Sequence, residues 1–367
     1  MPTNHNLPVV YGTGLIALDV VYGLTESAPK YQVGGTCGNV LSALAFLGWD
    51  SYPISRLQND SAGEIVRSDL RRCGVHTDFV GLAPTGPTPI IVEQIVRTKR
   101  GVPTHRFHLT CPNCGGFYPS FKPLRNDTVR ALLSRSIKVP RVFFADRVSK
   151  GIVELAKYFE KRGALIYFEP SGIGQVKQFR EMARLSHVLK YSQERASNFL
   201  EVLHGAKPLL QIETLGEDGI RCCSNLPKAS TKGWMKVDGI DTAEFKDAAG
   251  SGDWATSAII DCLGRKGLQG LLRTNKDQLL NAIRYAQVLA TWNCCYEGAR
   301  GGMYQGNWSS LQKYIQSASL KTKPLVVRSE KISAVAGAMG LCRSCDTDGW
   351  PMKSGRDQAA QRVVKTA

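Results

Sequence analysis

The chain has 367 residues, 43% of them hydrophobic, and a formal net charge of +16. That is apolar material for one large α/β domain or two smaller ones, which excludes a disordered polymer; no apolar run is long enough to cross a bilayer, and residues 1–8 lack a signal-peptide pattern, so a soluble, cytoplasmic protein is expected. The positive balance favours anionic ligands, but the basic residues are spread out without interleaved aromatics, which argues against nucleic acid as the partner.

In chain order, residues 9–19 read as an apolar strand that ends at Asp19. Gly34-Gly35-Thr36-Cys37-Gly38-Asn39 leads into a helix over residues 40–47, closed by Gly48. A strand over 52–57 and an amphipathic helix over 62–73 follow, the latter before Gly74. Residues 88–96 are rich in β-branched types and read as a strand; Pro and Gly punctuate the chain from there to about residue 123. Beyond it, strands at 142–144, 165–168, 187–190 and 208–212 alternate with helices at 150–162, 175–185 and 194–203. One helix between successive strands predicts a parallel sheet with helices on both faces. Helices after Asp253 and over 278–292 complete the core, and beyond about residue 325 the pattern dissolves into a Gly-, Lys- and Arg-rich tail.

Asp247-Ala248-Ala249-Gly250-Ser251-Gly252-Asp253 carries the most chemistry. A glycine-rich turn that opens a buried helix points unpaired amides and the positive end of the helix dipole at one spot. That is a cradle for a phosphate in transfer, and a carboxylate beside it makes sense as a base for a hydroxyl. Taken alone, the same residues read equally well as turn glycines with Asp253 as a dipole partner.

Five segments in this order resemble the ribokinase-like (PfkB) carbohydrate kinases over about residues 9–302. They are the first strand with Asp19; Gly34-Gly35 with Asn39; Asn59-Asp60-Ser61-Ala62-Gly63; Thr214-Leu215-Gly216-Glu217-Asp218-Gly219; and Asp247 to Asp253. The resemblance implies a three-layer αβα core with a mostly parallel sheet, spanning residues 1–330, and a small β lid in segments of about 20–33 and 86–122. A tail, 331–367, follows. It also implies transfer of phosphate from ATP, with Mg²⁺, to a hydroxymethyl group of a sugar or nucleoside. Asp253 then matches the general base, and the amides of Gly250, Ser251 and Gly252 the anion hole. Asp19, Gly34, Gly35 and Asn39 match the acceptor site; Asn39 by itself also reads as a helix cap ahead of Val40, and Asp19 as a strand-end turn residue. Thr214, Gly216, Gly219 and Asp247 match the nucleotide side, Asp247 as support for the metal or the loop. The stretch around Asn293 and Gly298-Ala299 resembles the adenine flank.

Three places depart from the family pattern. Ser192-Gln193-Glu194-Arg195 stands where an Asn-x-x-Glu motif organises the metal, which leaves Glu194 as the substitute magnesium ligand. Gln58 replaces a common glycine, and Glu169-Pro170-Ser171 replaces Asp-Pro-Asn. An unusual acceptor fits these changes. So does a catalytically weak protein on the same fold, one that senses a nucleotide or sugar and regulates a partner. Small molecules are the expected ligands, no membrane is expected as a partner, and a homodimer is left open.

Eleven cysteines, some adjacent, do not form a secreted disulfide framework. Cys111-Pro112-Asn113-Cys114 and Cys342-Arg343-Ser344-Cys345 are two Cys-x-x-Cys pairs, the elements of a structural Cys₄ zinc site. If both join one Zn²⁺, the tail is docked near the lid. The other reading is two separate thiol pairs, free or redox-active.

Overall fold

The computed structural model describes residues 7–24, 28–81, 86–99, 101, 103–111, 114–135, 137–318 and 342. The first half contains β1 (Val9–Thr13), β2 (Ala17–Tyr22), β3 (Lys30–Gly34), α1 (Thr36–Phe46), β4 (Asp50–Pro53), α2 (Ser61–Arg72), β5 (Ile90–Arg97), β6 (Pro103–His108), α3 (Asn126–Leu133), β7 (Val142–Ala145), α4 (Lys150–Glu160) and β8 (Leu165–Phe168). Next come α5 (Val176–Leu185), β9 (Val188–Ser192), α6 (Gln193–Phe199), β10 (Leu210–Thr214), β11 (Ile220–Ser224) and β12 (Met235–Val237). The last described helices are α7 (Ser251–Gly264), α8 (Gly267–Leu272), α9 (Lys276–Cys294), α10 (Gly301–Tyr304) and α11 (Trp308–Ser317).

The large sheet has the order β12-β11-β10-β9-β8-β7-β1-β4. It is parallel from β4 to β10, and its β10–β11 and β11–β12 pairs are antiparallel. Its central strands are apolar on both faces, and their two-residue period sorts side chains into two cores. Val10, Val142, Phe144 and Tyr167 pack toward α1, α7 and α9. Tyr11, Phe143, Ile166 and Phe168 pack toward α4 and α5. On the first face, small residues of α7 (Ala255, Ser257, Ala258) let it lie close to its neighbours, and Trp254 meets Trp292 edge to face at 5.2 Å.

Four strands in the order β3-β2-β5-β6 form the separate lid sheet, as expected from the sequence. Two details differ from the sequence reading. Residues 9–19 are not a single strand: the chain leaves the core sheet after Thr13, and Asp19 sits mid-strand in β2, within the lid. The break is held by the Asp146 carboxylate, which accepts from the Leu15 amide at 3.0 Å. Apolar composition alone cannot reveal such a corner. α1 also begins earlier than expected, with Gly35 at its cap, so Asn39 lies inside the helix and does not cap it. Of the tail, only Cys342 is among the described residues.

Candidate active site

Hydrogen bonds bring the segments just past β1, β7 and β8, strand β9, the first turns of α1 and α7, and the lid together along one edge of the sheet. In an open α/β sheet this edge is where ligands bind. Gly250 caps α7 with φ 71°, and a Cβ there would collide with the Ala299 carbonyl. Only glycine allows that approach. Behind the turn, the fully buried Asp247 accepts from the amides of Ala249 (3.0 Å) and Gly298 (2.9 Å). Asn293 donates to the carbonyls of Ala249 (3.1 Å) and Ala299 (3.2 Å) and accepts from the Gly302 amide. Asp247 is therefore a brace for the loop. Its contact with the lid is His105 Nδ1, 3.3 Å from Oδ1.

Asp253 lies in the first turn of α7 and is half-buried. Burial pushes its pKa up to about 7, with help from the nearby Glu169 charge; the Asn39 hydrogen bond and Lys190 act in the opposite direction. Asn39 Nδ2 donates to Asp253 Oδ2 at 2.7 Å, so one sequence segment predicted for the acceptor and one predicted for catalysis are in direct contact. Asp19 is 5% exposed, and burial raises it to about 7 against the pull of Arg300 and the Gly35 amide. A Cβ on Gly34 would overlap the Asp19 carboxyl, so that glycine makes room for it. Asp19 Oδ1 and Asn39 Oδ1 are buried without a hydrogen-bond partner among the described residues. Such atoms are costly to leave unsatisfied, and the hydroxyls of a ligand would satisfy them.

The expected nucleotide residues lie farther along the same edge. Thr214 ends β10, and Gly216–Asp218 forms a single tight turn before Gly219, whose φ is 100°. This turn packs against the backbone of Val237 and Gly239. Glu194 is exposed on the first turn of α6; no hydrogen bond or ion pair among the described residues ties it to Asp253 or to the α7 turn.

Two functional groups escaped the sequence reading. Lys190, 1% exposed in the middle of β9, bonds the Glu169 carboxylate and donates to the Gly252 carbonyl at 3.1 Å. Thr256 donates to the other Glu169 oxygen. A buried lysine thus sits under the Gly250-Ser251-Gly252 turn. A lysine closing the apolar run Val188-Leu189 was the available signal. The second group is Arg300, fully buried, which bonds the Val33 carbonyl and Asp69 (3.1 Å). Asp69 also accepts from the Val33 amide, Tyr304 and Arg72. The cluster pins lid strand β3 to α2 and α10.

Among the described residues no helix is long and apolar enough to cross a membrane. Comparison with known proteins agrees with this architecture. The model of the pfkB family of carbohydrate kinases matches residues 9–305. Among solved structures, fructokinase with bound ATP from Xylella fastidiosa superposes with a TM-score of 0.65 at 17% identity, covering 85% of this chain and 99% of that one. Ribokinase of Arabidopsis thaliana complexed with ribose and ATP gives 0.59 at 16% identity, with 86% and 100% covered. Aminoimidazole riboside kinase from Salmonella enterica, complexed with aminoimidazole riboside and an ATP analogue, gives 0.60 at 16%, with 84% and 99% covered. At such identities the likeness establishes the fold. No curated protein sequence matches.

Proposed function

Because the chain belongs to the pfkB family of carbohydrate kinases, we propose that it transfers the γ-phosphoryl group of ATP to a hydroxymethyl group of a sugar or nucleoside, with Asp253 as the general base. The observation that carries this reading is the pairing of Asp253 with Asn39 at the mouth of the α7 turn. A carboxyl raised to about 7 is half ionised near neutral pH, where a base both holds the right charge state and accepts a proton readily. Asp19 and Asn39 present unsatisfied oxygens to the acceptor's hydroxyls, which fixes one hydroxyl beside Asp253. As that hydroxyl loses its proton to Asp253 and attacks, charge spreads over the phosphoryl oxygens. The amides of Gly250, Ser251 and Gly252 and the dipole of α7 hold it. Lys190 adds a fixed positive charge beneath them and keeps the Gly252 carbonyl turned away from the anion.

ATP is the phosphoryl donor in this reading, bound along the β10 turn with Thr214, Gly216 and Gly219. Mg²⁺ would accompany the phosphates and neutralise their charge. The donor set at the start of α6, the Glu194 carboxylate and the Ser192 hydroxyl, is all oxygen and open to water. It fits an ion that keeps most of its hydration.

The test uses the purified chain with ATP, Mg²⁺ and a panel of sugars and nucleosides. Turnover on at least one acceptor, abolished in Asp253→Asn while ATP still binds, is expected. Ligand binding without product on any acceptor would overturn the kinase reading in favour of a sensor built on the same fold.

A further inference from the structure

Cys111, Cys114 and Cys342 bring their sulfurs within 4.8 Å of one another, although Cys342 is 228 residues beyond Cys114. We propose that these three thiolates hold a structural Zn²⁺ that fastens the C-terminal segment to the lid.

The distances separate the candidate chemistries. A disulfide needs sulfurs about 2.05 Å apart. Four thiolates around zinc, each about 2.3 Å from the metal, stand about 3.8 Å from one another. Cys114 and Cys342 are 3.5 Å apart, close to the metal-centred spacing and far from the covalent one. Thiolates this close repel one another, and a divalent cation turns that repulsion into binding.

The chain is shaped locally to present two of the ligands. The Gly115 amide donates to the Cys111 carbonyl at 2.9 Å, and the Cys111 amide donates to the Gly116 carbonyl at 2.7 Å. Gly115 has φ 71°, so the backbone turns tightly and both cysteines point to one side. Thr110 and Phe117 bridge beside this turn, making it a small hairpin that continues β6. Tyr118 hydrogen-bonds the Cys111 sulfur, the kind of outer contact that orients a metal ligand. The arrangement is rooted in the protein interior: Cys111, Tyr118 and Cys342 are all buried in the core that also contains Tyr22 and Ile90 of the lid.

Three sulfurs leave one corner of a tetrahedron. Cys345, which follows Cys342 at the same spacing as Cys114 follows Cys111, lies outside the described residues. The metal would stand where the lid returns to the core, since the Ile90 amide that opens β5 donates to the Pro119 carbonyl just past the hairpin. It therefore fixes the lid's outer edge, which the Arg300–Asp69 cluster at β3 does not reach.

The test is metal analysis of the full chain, untagged, loaded with zinc and then dialysed. One zinc per chain is expected. Replacement by Co²⁺ should give the thiolate-to-metal charge-transfer band and the intense visible bands of tetrahedral sulfur ligation, on wild-type protein and so independent of any folding defect. Cys342→Ser and Cys114→Ser should each lose stoichiometric metal, while Cys223→Ser, in β11, keeps it. Substoichiometric zinc, a cobalt form without thiolate bands, full zinc retention by Cys342→Ser, or a Cys114–Cys342 disulfide in the unreduced protein would overturn the proposal. None of these readouts depends on phosphotransfer.

Discussion

If Asp253 removes the acceptor's proton, the rate must follow its ionisation. With its pKa pushed up to about 7, about 9% is ionised at pH 6 and about 91% at pH 8. kcat/KM should therefore rise about tenfold over that interval, whereas a carboxylate at its ordinary value would be fully ionised throughout. Two neighbours push the inflection in opposite directions. Asn39 donates to the ionised carboxylate at 2.7 Å; losing a charge-assisted hydrogen bond, worth roughly 1.5–3 kcal/mol, moves the inflection up by roughly one to two units in Asn39→Ala. Glu169 raises Asp253 by like-charge repulsion, so Glu169→Gln should move it down, by about one unit or less. An ADP-release assay with the acceptor that turns over, run from pH 5.5 to 8.5 on all three proteins, measures this. ATP titrates identically in each, so the displacement between profiles isolates Asp253. A flat wild-type profile, or two variants displaced in the same direction, would refute the assignment of Asp253 as base.

Two further outcomes follow from the buried charges. Lys190→Met leaves Glu169 buried beside Thr256 alone and should destabilise the fold by about 3–5 kcal/mol in urea denaturation; the double variant Lys190→Met/Glu169→Gln should recover part of that, and strictly additive losses would show that the pair is not coupled. Asp19 and Asp146 titrate in the folded state at about 7 and about 6, above the ordinary 3.8. Their contribution to stability is thus complete below about pH 4 and is lost as pH rises through 6 to 7. For Asp19 the loss is at most about 4 kcal/mol, so Asp19→Asn should melt higher than wild type at pH 8 and show a flatter pH dependence of Tm between 5 and 8. A variant that is less stable at pH 8 would contradict this sign.

What could be read in advance divides along physical lines. The alternation of short apolar runs with helical periods after residue 140 became β7 to β10 with their helices, because burial on both faces leaves a composition that survives in any such sheet. Gly250 at the cap of α7 and Asp253 in its first turn were legible because a left-handed turn packed against the Ala299 carbonyl demands glycine at a fixed offset. Lys190 was passed over as the polar end of a strand. In the structure it lies mid-strand in β9, and its role depends on a carboxylate just past β8 and a carbonyl of α7, 21 and 62 residues away. Arg300 was invisible for the same reason, since Asp69 and Val33 reach it only after the lid folds back.

The sequence by itself determined the family, the parallel core, the existence of a lid and the placing of Asp253 in the first turn of a buried helix, because each leaves a local pattern: periodicity, a glycine at a strained turn, a carboxylate in a first helical turn. Only the tertiary structure decided that Asp19 belongs to the lid, that Asn39 bonds Asp253, and that Cys342 stands beside Cys111 and Cys114. Those are contacts between distant segments, and a side chain's charge state and partners depend on burial and neighbours that no single stretch of chain contains.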